Sequence, residues 1–229
     1  MLTELEFKKN LEFVQQQIGK ACDLSGRKPT EVHLLPVTKN WPSGIITYCK
    51  NAGFDTIGEN RVQEAVVKQE EVTGMNWELI GHLQSNKAKN VVGKFSRIQT
   101  VDSEKLIRKL EDSCSRNEME MKILLQVNAG EDPSKFGCSL EGTARLLAFA
   151  LSQKHILVEG LMTIAPYAPD NLDVARSAFS KLRNLRDRLR DEFNVELNEL
   201  SMGMTLDLEQ AIEAGSTMIR VGSALFGNR

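Results

Sequence analysis

Two groups of residues in this chain have the types and spacing to do chemistry. The first is Lys39, which ends the apolar run EVHLLPVTK (31–39). Side chains alternate along a strand, so His33, Leu35, Val37 and Lys39 share one face. If Leu35 and Val37 point into a core, Lys39 points with them. Burial disfavours an ammonium and lowers its pKa, and the neutral amine can condense with an aldehyde to form a Schiff base. The other reading is a lysine that snorkels to solvent at a strand edge, or pairs with Glu59 or Asp102. The second group is SMGM (201–204) with RVGS (220–223). Gly203 and Gly222 allow backbone to approach a ligand closely. Ser201, Thr205 and Ser223 supply hydroxyls, and the loops supply N–H groups suited to a phosphate; the alternative is that both glycines simply make turns. Arg220 alternates with Met218, which points it inward, and a buried guanidinium needs an acceptor. A ligand would serve, and so would Glu199 or Asp207.

These residues need a frame that brings residue 39 beside residues 201–223. Thr3 to about Cys22 reads as a helix, with Leu11, Val14, Ile18 and Cys22 at helical spacing, a Thr3/Glu6 capping box and Gly26 as its stop. Eight short apolar runs follow: 31–39, 54–58, 77–82, 97–102, 122–129, 156–164, 197–203 and 217–222. The first seven are each followed by a segment that can be helical. The clearest such helix carries Val174, Ala178, Leu182, Leu185, Leu189 and Phe193. Repeated strand–helix alternation means parallel strands with helical crossovers. A closed (β/α)8 barrel typically takes about 250 residues, with roughly 200 as a lower bound, so the 229 residues here are used by one α/β barrel domain, 1–229, with an extra N-terminal helix. An open doubly wound sheet would more often show a Gly-rich first turn, which is missing. In a barrel, active sites lie at the C-terminal strand ends. Those ends carry Lys39, Asn60, His82, Asp102, Asn128, Ser201 and Arg220, among others. Asn60 is also a normal helix N-cap, and His82 is more simply a half-buried strand-end histidine. The loop VNAGEDPSKFG (127–137), with Glu131 and Asp132, does not look like a phosphate cradle, and Met162, Met202 and Met204 read as apolar walls.

Composition excludes several classes. A formal net charge of -2 gives no general pull toward nucleic acid or anionic membrane. The basic residues of 181–190 alternate with Asp187, Asp191 and Glu192 and read as a solvated helix face. No stretch approaches the roughly 20 apolar residues of a membrane span, and MLTELEFKKNLEF is not a signal peptide. Cys22, Cys49, Cys114 and Cys138 lie far apart, which suits free thiols and a cytoplasmic location. His33, His82 and His155 lack zinc-ligand spacing, so no metal site is expected.

A Schiff-base lysine on strand one and a phosphate site at strands seven and eight together suggest pyridoxal 5'-phosphate (PLP). At this point the sequence resembles a known family, the PLP homeostasis proteins, single TIM barrels similar to the N-terminal domain of alanine racemase. The stretches that carry the resemblance are PVTKN (36–40), IGENRVQE (57–64), WELIGHLQSNK (77–87), VNAGEDPSKFG (127–137), EGLMTIAP (159–166) and SMGMTLDLEQAIEAGSTMIRVGSALFG (201–227). The resemblance implies that Lys39 forms the internal aldimine with PLP. It implies that Ser201, Gly203, Gly222 and Ser223 surround the cofactor phosphate, that Arg220 lies near the pyridine ring and that Asn60 lies in the pocket. An arginine beside the ring nitrogen keeps that nitrogen unprotonated and makes the ring a poorer electron sink. The sequence departs from the family pattern at Thr205-Leu206, where Ser-Asp is common, and at His82, where the family varies.

Alanine racemase adds a second domain, and its dimer supplies an acid/base opposite the lysine. This chain ends at Arg229, soon after the eighth run, so a monomer is expected. Racemisation needs proton transfer on both faces of the substrate, and neither Tyr48 nor Tyr167 sits clearly at a strand end. The expectation is therefore a carrier that holds PLP and hands it to apo-enzymes, with no catalytic residues of its own. Two alternatives stay open: a PLP-dependent amino-acid enzyme of racemase type using Lys39 as base, and a barrel aldolase or phosphosugar isomerase in which Lys39 condenses with substrate.

Overall fold

A computed structural model describes residues 2–227; Met1, Asn228 and Arg229 of the expected 1–229 domain lie outside the described residues. The chain opens with helix α1, Glu4–Ser25. Thr3 and Glu6 form the expected reciprocal capping box, and Gly26 ends the helix in the left-handed conformation at φ +66°. Phe7, Leu11, Val14 and Ile18 form its buried stripe. Phe7 stacks on Phe226 with ring centroids 5.6 Å apart, so the helix is fastened across the end of the chain.

The eight expected strands all form: β1 His33–Pro36, β2 Thr56–Glu59, β3 Asn76–Leu79, β4 Arg97–Val101, β5 Met121–Gln126, β6 Ile156–Met162, β7 Glu199–Ser201 and β8 Met218–Val221. Each overlaps one of the apolar runs, because a barrel strand is covered on both faces. Pairing is parallel throughout, in the order β1-β8-β7-β6-β5-β4-β3-β2. The two end strands meet through a Val37–Gly58 bridge and a Thr38 N–H bond to Gly58 O of 3.1 Å, which closes the ring. Strand β1 thus lies between β8 and β2, and this is what brings residue 39 beside residues 220–223.

The outer layer is α2 Gly44–Asn51, α3 Val62–Glu71, α4 Glu104–Asn117, α5 Thr143–Leu151, α6 Leu172–Phe193, α7 Leu208–Glu213 and α8 Ser223–Phe226. One connection departs from the expected alternation: β3 leads into a short 3-10 turn, Ser85–Asn90, and not an α-helix. Only Leu83, Ala88 and Val91 are buried there, which is too few for a helical stripe. In α6 the buried face is Ala175, Ala178, Phe179, Leu182, Leu185 and Leu189; the expected Val174 and Phe193 are only half-buried.

Alternation sends Leu35, Val37, Ile80 and Met218 into the barrel, where they pack as a separate apolar cluster. The rest of the interior is strongly polar. At the N-terminal end Arg97 binds Glu78 in a two-pronged pair at 3.0 and 2.7 Å, and Glu159 at 2.8 Å. Glu199 approaches the same guanidinium at 3.6 Å. No helix among the described residues is long and apolar enough to cross a membrane.

Candidate functional site

The C-terminal mouth holds a cavity of about 360 Å³, within the range of small-molecule sites. Lys39, Asn60, Arg220, Gly222 and Ser223 all line it. Its walls are mostly apolar, including Val37, Ile80, Ile164, Pro166 and Leu172. Five of the seven residues singled out from the sequence therefore converge on one space.

Lys39 lies beyond the end of β1 and is exposed, at the cavity wall and not desolvated within the barrel as alternation alone suggested. The sheet pairing stops at Val37, and the chain turns at 38–41. Asn60 is also exposed and stands before α3, whose N-cap position is Arg61; the asparagine does not cap the helix. Ser223 Oγ donates to Thr205 Oγ1 at 3.1 Å, so the two hydroxyls sit together on the cavity wall.

Arg220 is almost fully buried, and burial pulls its pKa down to about 10. Its hydrogen-bond acceptors are neither Glu199 nor Asp207. Nη1 donates to Ser201 Oγ at 2.7 Å and Nη2 to the Thr163 carbonyl at 2.9 Å. Ser201 is wholly buried, and its hydroxyl donates a hydrogen bond to Gln99 Oε1 at 2.6 Å. Gln99 Nε2 in turn donates to Glu78 Oε2 at 2.5 Å. A continuous hydrogen-bonded chain thus runs through the barrel from Arg220 to the Glu78–Arg97 pair at the far end.

Ser201 and Gly203 do not line the cavity. Ser201 orients Arg220 from behind. Gly203 has φ +96°, and a Cβ there would fall 2.5 Å from Ala211 Cβ and 2.9 Å from Ile219 Cδ1, so α7 can pack only against glycine. At Gly222 a Cβ would come within 3.2 Å of Val37 O, which keeps the β8–α8 junction close to β1. Asp207 lines the cavity, accepts the Met204 N–H at 2.6 Å, and has its pKa raised by burial.

Several cavity residues were not found from the sequence. Tyr167 borders it and is 76% exposed, although it lies on a loop and not at a strand end. Lys135, from the loop read as no phosphate cradle, also reaches it, as does Leu206, while Met204, read as an apolar wall, does line it. The signal available was position: each follows a C-terminal strand end. His82 stays outside; its ring stacks on Phe136 at 3.8 Å and stands 3.8 Å from Asp102. Larger hollows of about 680 and 890 Å³ lie at the other end of the barrel. Both are lined by Glu78, Arg97 and Glu199, charges largely engaged with one another.

The family model for the alanine racemase N-terminal domain matches residues 10–229 of this eight-stranded parallel barrel. Alanine racemase of Clostridium difficile shares the fold at a TM-score of 0.78 and 12% identity, with 96% of this chain and 57% of that chain covered. The pyridoxal phosphate homeostasis protein of Aquifex aeolicus is 40% identical over 221 residues, 96% of each chain. PipY of Synechococcus elongatus, solved with PLP bound, matches at a TM-score of 0.81 and 34% identity, covering 92% of this chain and 100% of that chain. The chain belongs to the pyridoxal phosphate homeostasis protein family.

Proposed function

We propose that this protein binds pyridoxal 5'-phosphate in the C-terminal cavity and serves as a carrier in intracellular PLP homeostasis. The observation that carries the reading is the convergence of Lys39, Arg220 and the Ser223/Thr205 hydroxyls on one cavity of about 360 Å³. The residues suit the group: Val37, Ile80 and Ile164 offer apolar walls to a planar ring, the hydroxyl pair and Gly222 offer close approach to a phosphate, and Arg220 offers a cation. Lys39, at the cavity wall, would hold the cofactor through its aldehyde group, which when bound supplies carbonyl chemistry with an amine. Asn60 contributes a further polar group at the wall. Ser201 and Gly203 act one step removed, by orienting Arg220 and by seating α7.

A relative that carries the homeostasis name and another solved with PLP support the cofactor and its role. Arg220 would set a cation where a carboxylate would drive electron withdrawal through the ring, which makes the ring a poorer electron sink. Handing PLP to apo-enzymes, a cytoplasmic setting and a monomeric state belong to the same reading. One observation favours the second reading, a PLP-dependent amino-acid enzyme: Tyr167 borders the cavity and could serve as an acid/base besides Lys39.

The test is to titrate apo-protein with PLP and follow the Schiff-base absorbance. Saturable binding with a band that vanishes in Lys39→Ala is expected. A protein that takes up no PLP would sink the reading. Amino-acid turnover lost in both Lys39→Ala and Tyr167→Phe would move the assignment to the second reading, whereas PLP delivery to an apo-enzyme faster than release into solution supports the first.

A further inference from the structure

The turn that carries Lys39 is held on both sides by buried charge. Thr38–Trp41 is closed by the Trp41 N–H on the Thr38 carbonyl at 3.1 Å, which puts Lys39 and Asn40 at its two central positions. Asn40 has φ +58°, the left-handed conformation that a turn of this kind can require and that asparagine tolerates better than most residues. Helix α3 supplies the clasp. Lys68 Nζ donates to that same Thr38 carbonyl at 2.8 Å, to Glu59 Oε1 at 2.6 Å and to Glu64 Oε1 at 2.8 Å. Thr38 Oγ1 donates to Glu59 Oε1 at 2.6 Å. Glu64 Oε1 also accepts the Asn40 N–H. Glu64 and Lys68 are one helical turn apart and face the turn together.

Both members of the central pair are deeply buried, Glu59 at 0% and Lys68 at 5% exposure. Glu59 Oε2 has no hydrogen-bond partner among the described residues. Apolar side chains of similar volume commonly replace such a pair with no loss of stability, so stability alone does not explain it. What an apolar pair could not do is bind the carbonyl before Lys39 and, through Glu64, the N–H after it.

We propose that Glu59, Glu64 and Lys68 are positioning residues that fix the Thr38–Asn40 turn, and thereby set where the Lys39 amine meets the PLP aldehyde. The inference rests on the PLP reading and adds to it residues that never touch the cofactor. Displacing a reacting group by about 1 Å can cost on the order of a hundredfold.

The test uses full-length protein carrying Glu64→Gln, Lys68→Met, or Glu59→Gln with Lys68→Met, the last removing both buried charges together. Three quantities are read: the apo-protein melting temperature, PLP affinity, and the fraction of bound PLP that borohydride traps on the Lys39 peptide at saturation. Glu64 is partly exposed, so Glu64→Gln is expected to melt like wild type, yet to bind PLP about tenfold more weakly and to trap severalfold less on Lys39. The other two variants lose more, and Glu64→Asp restores part of the trapped fraction. A merely structural clasp would shift melting and leave trapping in the folded protein unchanged, and that result overturns the proposal. If Lys68→Met does not fold, Glu64→Gln alone decides. Wild type that traps nothing on Lys39 defeats the PLP reading itself, whereas wild type that traps fully alongside equally competent variants defeats only the clasp.

Discussion

The two mouths of the barrel use charge in opposite ways. At the N-terminal mouth Arg97 is surrounded by Glu78, Glu159 and Glu199, and Lys122 adds a bond to Glu159 at 2.8 Å. The charges there bind one another. At the C-terminal mouth, Arg220 is held by neutral partners, Ser201 and the Thr163 carbonyl. Lys39 lines the cavity, and the Ser223 hydroxyl donates to that of Thr205. One end ties its charges to one another, while the other lines a cavity with Lys39, Asn60 and the Ser223 and Thr205 hydroxyls, above the bound Glu59–Lys68–Glu64 group. This matches the general division of labour in barrels, in which the C-terminal face carries function and the N-terminal face stability. The two ends are not independent, since the Ser201–Gln99 chain joins Arg220 to the Glu78–Arg97 pair.

The largest effect is expected at the N-terminal mouth. Arg97→Met leaves three carboxylates without their shared cation, and breaking a buried pair in this way costs about 3–5 kcal/mol. Denaturant unfolding of the apo-protein measures it; a loss within error of zero would mean that the N-terminal charges are no keystone and that the contrast fails. Next is Gln99→Leu, which cuts the chain at its middle. Ser201 loses its acceptor and Glu78 a donor, so about 1–3 kcal/mol should be lost. If the chain matters only as structure, PLP affinity stays at the wild-type value; a drop in affinity would show that the far end sets the orientation of Arg220. Third, Lys39→Ala removes an exposed side chain and should change apo-protein stability by less than about 0.5 kcal/mol, in contrast to the loss of the Schiff-base band expected under the proposed function. Marked destabilisation would place Lys39 among the structural charges and blur the comparison.

The sequence made one mouth far more legible than the other. Strand order and closure followed from eight apolar runs, and the expected helix α1 formed with its Thr3/Glu6 capping box and Gly26 stop. At the cavity, alternation placed Arg220 correctly because β8 is regular through that position. It misjudged the environment of Lys39 because the sheet ends at Val37 and a turn intervenes. Ser201 and Gly203 were expected at the phosphate from residue type, their loop after strand seven and the family resemblance, whereas in the structure Ser201 engages Arg220 and Gly203 packs against Ala211. Tyr167 and Lys135 sit on loops whose course no periodicity encodes. The N-terminal cluster was missed altogether. Glu78, Arg97, Glu159 and Glu199 come from four strands and look like unrelated charges until the barrel closes.

The finest test of the contrast is a pH dependence measured at both ends. Burial raises the pKa of Asp207 at the C-terminal mouth and of Glu199 at the N-terminal mouth above their ordinary values. For Asp207 the Met204 N–H and the Arg220 charge pull the other way without overcoming burial, and for Glu199 Arg97 does so. A carboxyl with a raised folded-state pKa favours the native state when protonated. Its contribution is therefore fully present below the unfolded pKa and is lost as pH rises through the folded pKa. Asp207→Asn and Glu199→Gln should each match wild-type stability in acid and gain on it as pH rises through that window. The gap between variant and wild type can open by no more than about 1.4 kcal/mol per pH unit. Without cofactor the two ends should behave alike. With PLP bound they should part, because Asp207 lines the cavity and Glu199 does not; only the Asp207→Asn gap should move. If the Glu199→Gln gap moves as well, the interior chain from Arg220 to Glu78 carries the influence of the ligand across the barrel, and the two mouths form one electrostatic unit.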